Sequence, residues 1–212
     1  AKLTTMMKFA LGLLCCRLLD RSRFFVECSV SLRVSVTPMT YYYLGWCLVQ
    51  GKLSGAEQAF ADAANACPDY CFPNRLEAIL ALQCAMEQNP NDAKAPYYLG
   101  NLYYDKRQYD LALEAWETSA GLDDKFATIW RNLALANFNK KDEEATAIEY
   151  MERAFQLDTT DARVLMELDQ LYKRVRRPHS ERLAFLQQYP ELIAQRDDLV
   201  LEEITLLNQT GE

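Results

Sequence analysis

The chain has 212 residues, half of them apolar and a quarter charged, with a formal net charge of −7. That length allows one large or two small domains with a real core, while seven glycines and seven prolines are too few for a β-sandwich that turns about every ten residues. The negative charge excludes non-specific attraction to nucleic acid or to an acidic membrane, and the abundance of Leu, Ala, Glu, Gln and Met predicts an all-α fold.

Residues 1–37 are the least defined. Val26, Cys28, Val30, Leu32, Val34 and Val36 alternate with polar residues as in a half-buried strand. Leu11-Gly12, however, precedes Leu44-Gly45 by close to the interval at which the chain repeats further on, which reads as a degenerate first repeat of two helices. Lys8 to Cys16 has the length of a signal-peptide core, but Arg17 follows it and no small-x-small cleavage site appears. All seven cysteines lie at or before residue 84, and Cys15 and Cys16 are adjacent. An odd, clustered set suits reduced thiols in a cytoplasmic protein better than a disulfide framework. The first 50 residues carry six Lys/Arg against Asp20 and Glu27, so the negative charge is concentrated downstream.

From residue 38 the chain repeats itself. Tyr41, Leu44-Gly45, Leu48, Ala56, Phe60, Ala63 and Pro68 recur as Leu99-Gly100, Tyr103, Ala112, Trp116 and Ser119-Ala120, and again as Trp130, Leu133-Ala134, Ala147, Met151 and Ala154. Leu99, Leu133 and Leu168 mark successive units, the second interval longer than the first by a single position. Each unit holds two apolar-periodic segments joined by a charged turn, which predicts antiparallel helical hairpins. Gly100 and Ala112 let helix axes approach closely, with Tyr103 and Trp116 expected to fill the space between one hairpin and the next. The interval from Leu44 to Leu99 exceeds one such period by more than half of another. The surplus, near 69–93, reads as a second helix (Ala78, Leu82, Ala85) whose first helix is missing or reduced to Asp69-Tyr70-Cys71, and a bend is expected there. After Leu165 and Tyr172, a short helix from Ser180 to Gln188 must stop before Pro190. A half unit from Asp197 to Asn208 ends the chain, so Leu199, Ile204 and Leu207 are expected to be partly uncovered and available for an end-to-end contact or homodimer.

The order aromatic-x2-Leu-Gly-x2-Tyr, then Ala-x3-aromatic-x2-Ala, on a period of about 34 residues, resembles the tetratricopeptide repeat (TPR) signature. The resemblance implies a right-handed α-solenoid of stacked helix-turn-helix units over residues 38–212, and a protein or peptide as partner. In that family the first helix of each unit lines the concave side. This implies groove positions at Tyr97, Asn101, Tyr104 and Asp105, at Arg131, Asn132, Leu135, Phe138 and Asn139, and at Arg163, Met166, Gln170, Lys173 and Arg174. Some TPR proteins clamp the terminal carboxylate of heat-shock chaperones with a Lys, two Asn, a Lys and an Arg. Asn101, Asn132 and Arg163 occupy three of those places here, while Tyr97 and Glu167 replace the first and last. Beyond the generic signature, YYYLGW, PDYCFPNRLE, APYYLGNLYYDKRQY and LIAQRDDL together resemble the C-terminal part of large bacterial proteins of unassigned function, whose N-terminal part is β-rich and carbohydrate-enzyme-like. That resemblance implies a fragment, and the alternative of a helical arm packing on such a domain of the same chain.

Catalytic groups are sparse. His179, the single histidine, sits in Arg176-Arg177-Pro178-His179-Ser180, a turn. Cys67-x3-Cys71 with Cys84 lacks a fourth ligand and a nearby His, so buried thiols are expected rather than zinc. Asp123-Asp124, Glu143-Glu144 and Asp197-Asp198 suit helix starts, and no phosphate loop or serine elbow is present. No catalytic or metal residue and no cofactor is assigned. Lys173-Arg174-Val175-Arg176-Arg177 is the one basic run, read as a helix C-terminus or as a docking patch for an acidic partner.

Overall fold

The computed structural model describes residues 37–211, apart from Asp69 and Asp142. The readings of residues 1–36, as a strand or as a first repeat, lie outside the described residues. Every regular element among the described residues is helical. The chain divides into two compact units, one ending at Leu122 and one beginning at Asp123.

In the first unit α1 (Pro38–Gln50) begins with proline, whose missing N–H costs nothing in a first turn. It packs on α2 (Ala56–Asn65) and on α3 (Glu77–Gln88), and α3 packs in turn on α4 (Lys94–Asp105), which pairs with α5 (Tyr109–Leu122). Covered from two sides, α1 buries Tyr42, Gly45, Trp46, Cys47 and Leu48. No described residue between 66 and 76 is helical, so α3 stands as a second helix without its first, as the spacing of Ala78, Leu82 and Ala85 indicated. The Tyr42 hydroxyl donates to Asp92 Oδ2 at 2.7 Å, and Asp92 Oδ1 accepts from the Lys94 N–H at 2.9 Å at the start of α4. One carboxylate therefore satisfies a helix start and ties it to α1.

Glycine sets the close approach in the α1–α2 and α4–α5 hairpins. A Cβ at Gly45 would stand 2.5 Å from the Phe60 ring, and one at Gly100 would stand 2.5 Å from the Trp116 indole. Trp116 thus fills the gap within its own hairpin, which corrects the expectation that it lies between successive hairpins. Its Nε1 donates to the Tyr97 carbonyl at 3.3 Å and to Asn101 Oδ1 at 3.1 Å, both on α4.

The second unit contains α6 (Ala127–Ala136), α7 (Glu144–Leu157), α8 (Ala162–Arg174), α9 (His179–Leu186), α10 (Pro190–Ile193) and α11 (Asp197–Thr210). α6 pairs with α7, α7 with α8, and both α9 and α10 lie on α8 and α11. Phe155, Phe185, Tyr189 and Tyr172 form edge-to-face pairs that join α7, α8 and α9. Asp161 caps α8 by accepting from the N–H groups of Arg163 (2.8 Å) and Val164 (3.3 Å). α9 stops at Leu186, ahead of Pro190, as proline geometry required.

Three first-to-second-helix turns share one closure. Lys52, Arg107 and Arg176 adopt left-handed φ of 51°, 60° and 57°. The residue after each, Leu53, Gln108 and Arg177, donates its N–H to a carbonyl five residues back at 2.9 Å, the Schellman arrangement. The α6–α7 turn differs, because the interval from Leu133 to Ala147 is longer by a single position than that from Leu99 to Ala112. The extra residue is absorbed in a π-helical turn, Asn137–Lys141, extending α6. Buried Asn137 secures it by donating Nδ2 to the Leu133 carbonyl at 2.9 Å.

Candidate functional site

On α4, only part of the expected groove set is open. Tyr97 is buried, with its ring 5.2 Å from that of Tyr98. Asn101 gives its Oδ1 to the Trp116 indole, and the Tyr104 ring lies 5.2 Å from Tyr109 and 5.4 Å from Trp116. These three residues hold the hairpin together. Tyr97 is thereby withdrawn from the open face, against the expectation that it lines the groove. Asp105 is exposed and accepts from its neighbour Lys106 at 2.7 Å.

In the second unit, α6 and α8 bring Arg131 and Arg163 onto one carboxylate. Arg131 donates Nε to Glu167 Oε2 at 2.5 Å and Nη2 to Oε1, while Arg163 Nε donates to Oε1 at 3.1 Å. Glu167, at the place where the chaperone clamp has a cation, thus bridges the two guanidinium groups, holding Arg131 through both oxygens and exposed Arg163 through one. Asn132, Phe138 and Gln170 are half-buried, Asn139 is exposed on the π-turn, and Arg174 is exposed. Lys173 Nζ donates to both oxygens of Glu202, at 2.8 and 2.9 Å.

That last contact belongs to a network absent from the sequence reading. Arg182 donates Nε and Nη2 to the two oxygens of Asp169 at 3.0 and 2.6 Å, and Nη2 also reaches Glu202 Oε1 at 2.7 Å. Asp169 is 0% exposed and Arg182 2%. Burial pushes the Asp169 carboxyl up against the pull of Arg182. Burial acts on Glu202 in the same sense but is outweighed by the hydrogen bonds from Lys173 and Arg182, which hold it below the usual carboxylate range. The network fastens α9 and α11 to α8. The signal was available, because Asp169 takes the position held by Gly100 and Ala134, where a second helix comes close. A carboxylate there requires a buried cation.

The C-terminal contact set is also rearranged. Leu199 is 0% exposed, packing inward with Glu202 and Leu206 at i, i+3 and i+7, so it cannot form an end contact. Ile204 is 48% exposed, Leu207 half-buried, and Leu201, which the spacing did not single out, is 64% exposed. Of the three cysteines expected to be buried, Cys71 and Cys84 are and Cys67 is exposed. Burial pushes the thiols of Cys71 and Cys84 up. Among the described residues no group of three or more His, Cys, Asp or Glu could hold a metal ion, and no helix is long and apolar enough to cross a membrane.

No protein-family model matches the chain. Solved structures do resemble it. MamA protein superposes with a TM-score of 0.54 at 20% identity, over 82% of this chain and 83% of that one. YrrB, described as a TPR protein with an unusual peptide-binding site, gives 0.53 at 16% identity over 81% and 77%. The fold is the TPR solenoid. MamA from residue 41 onward, of Desulfovibrio magneticus RS-1, shares the TPR-like architecture at a TM-score of 0.50 and 18% identity over 91% and 96%. At these identities the likeness is one of fold, and the TPR scaffold leaves the ligand to particular side chains.

Proposed function

We propose that the chain is a non-catalytic module that binds a protein partner through an extended peptide segment. The observation that carries this reading is the polar face of α8, where Arg163, Lys173 and Arg174 are exposed on a helix whose opposite side is fully committed to the core. Arg163 and Lys173 are tethered by Glu167 and Glu202, so they are held in place before a ligand arrives, and preorganisation lowers the ordering cost of binding. The description of YrrB as peptide-binding agrees with such a use of the fold. The test is selection from a displayed peptide library, followed by fluorescence anisotropy on the chain and on an Arg163→Ala/Arg174→Ala variant. Selected peptides should lose roughly tenfold in affinity for the variant, the worth of one or two charge-assisted contacts. Equal binding to both proteins would remove this face from the function.

A second reading is self-association through α11, supported by exposed Leu201 and Ile204. Molecular mass measured across a concentration range should then show a dimer that Leu201→Glu/Ile204→Glu abolishes. A wild-type chain that stays monomeric throughout would dispose of this reading.

A further inference from the structure

The turn between α8 and α9 encloses a depression of about 290 Å³ walled by Lys173, Arg176, Arg177, His179, Arg182 and Gln209. No carboxylate belongs to that wall. Carboxylates outside the wall fix three of its cations. Asp169 and Glu202 hold Arg182, Glu202 holds Lys173, and Glu152 lies 3.7 Å from Arg177, whose guanidinium also sits 3.6 Å over the Tyr172 ring. The side chains of Arg176 and His179 have no hydrogen-bond or ion-pair partner among the described residues. α9 starts at the same place behind Pro178 with no side-chain cap, so its first N–H groups and the positive end of its dipole add to the field.

We infer that this pocket is a binding site for an oxyanion of the phosphate class. Guanidinium groups offer parallel N–H donors that match phosphate oxygens two at a time. Lys173 and Arg177, already anchored by carboxylates, lose little freedom on binding, and Arg176, with no ion-pair partner among the described residues, supplies the charge that the anion neutralises. Lys173 is common to this pocket and to the α8 face of the peptide reading, but the defining residues, Arg176 in the turn and His179 at the start of α9, lie off that face, so the two are tested by different variants. The phosphate can arrive as a free ion or on a phosphorylated side chain of a protein, and both present the same oxygens.

The test is calorimetric titration of the chain with inorganic phosphate, with a phosphoserine peptide and with its unphosphorylated counterpart, using wild type, Arg176→Asn and His179→Gln. Asparagine tolerates the left-handed backbone of residue 176, so the first variant removes charge without straining the turn. The expected result is binding of the phosphate-bearing probes over the unphosphorylated peptide, weakened roughly tenfold by Arg176→Asn, with a smaller loss in His179→Gln. Binding of inorganic phosphate identifies a free-ion site, and binding of the phosphopeptide alone identifies a protein-borne phosphate. Absence of binding by either, or equal binding by wild type and both variants, overturns the inference.

Discussion

At Gly100 the indole of Trp116 occupies the space where a Cβ would be, and two hydrogen bonds to α4 keep the ring from swinging aside. Gly100→Ala should therefore destabilise the protein by about 1–2 kcal/mol, overpacking outweighing the gain in helix propensity. Gly121, with nothing within 4 Å of its would-be Cβ, is the control. Gly121→Ala should be neutral or stabilising by up to about 1 kcal/mol. Urea denaturation of the two variants distinguishes a packing role from a general aversion to alanine. The buried tyrosines give a second residue-level expectation. Desolvation pushes the phenols of Tyr42, Tyr98 and Tyr172 well above their ordinary value, with the neighbouring charges of Asp92 and Glu152 adding to the effect at Tyr42 and Tyr172. A raised folded value means that these groups contribute stability fully below about pH 10, lost as pH rises past the unfolded value towards the folded one. Tyrosinate absorbance should show these three remaining protonated until the chain unfolds in alkali, and titrating with the others in denaturant.

Helix α8 shows how one substitution in a repeat is accommodated by its neighbours. Asp169 replaces the small residue of the other units, and Arg182 and Glu202 answer it from α9 and α11. Removing the cation alone, in Arg182→Leu, leaves a buried carboxylate without its partner and should cost about 3–5 kcal/mol. The double variant Asp169→Ala/Arg182→Leu, which restores the alanine found at position 134, should recover most of that loss in thermal denaturation. If the single and double variants melt alike, the pair is not what joins these helices. The π-turn is the second accommodation. Its cause, one additional residue, is visible in the spacing, but whether a chain loops out such a residue or widens a helix depends on what surrounds it. Here buried Asn137 bonds the Leu133 carbonyl and favours widening.

Across the whole chain, two compact units make damage local. Hydrogen exchange should report Gly100→Ala as lost protection in α4 and α5 with α8 to α11 unchanged, and Arg182→Leu as the reverse. Uniform loss from either change would mean that the chain unfolds as one cooperative body. Sequence alone determined the helical hairpins, the repeat, the missing first helix before α3 and the short helix before Pro190. These follow from apolar period, small residues and proline stereochemistry, all carried by short stretches of chain. Tertiary structure alone decided that Trp116 closes its own hairpin, that Tyr97 and Leu199 face inward, that Glu167 bridges Arg131 and Arg163, and that Asp169 meets Arg182. A periodicity states which side of a helix is buried, but not which neighbour buries it. The partner of a charge is fixed only when distant segments are brought within hydrogen-bond reach.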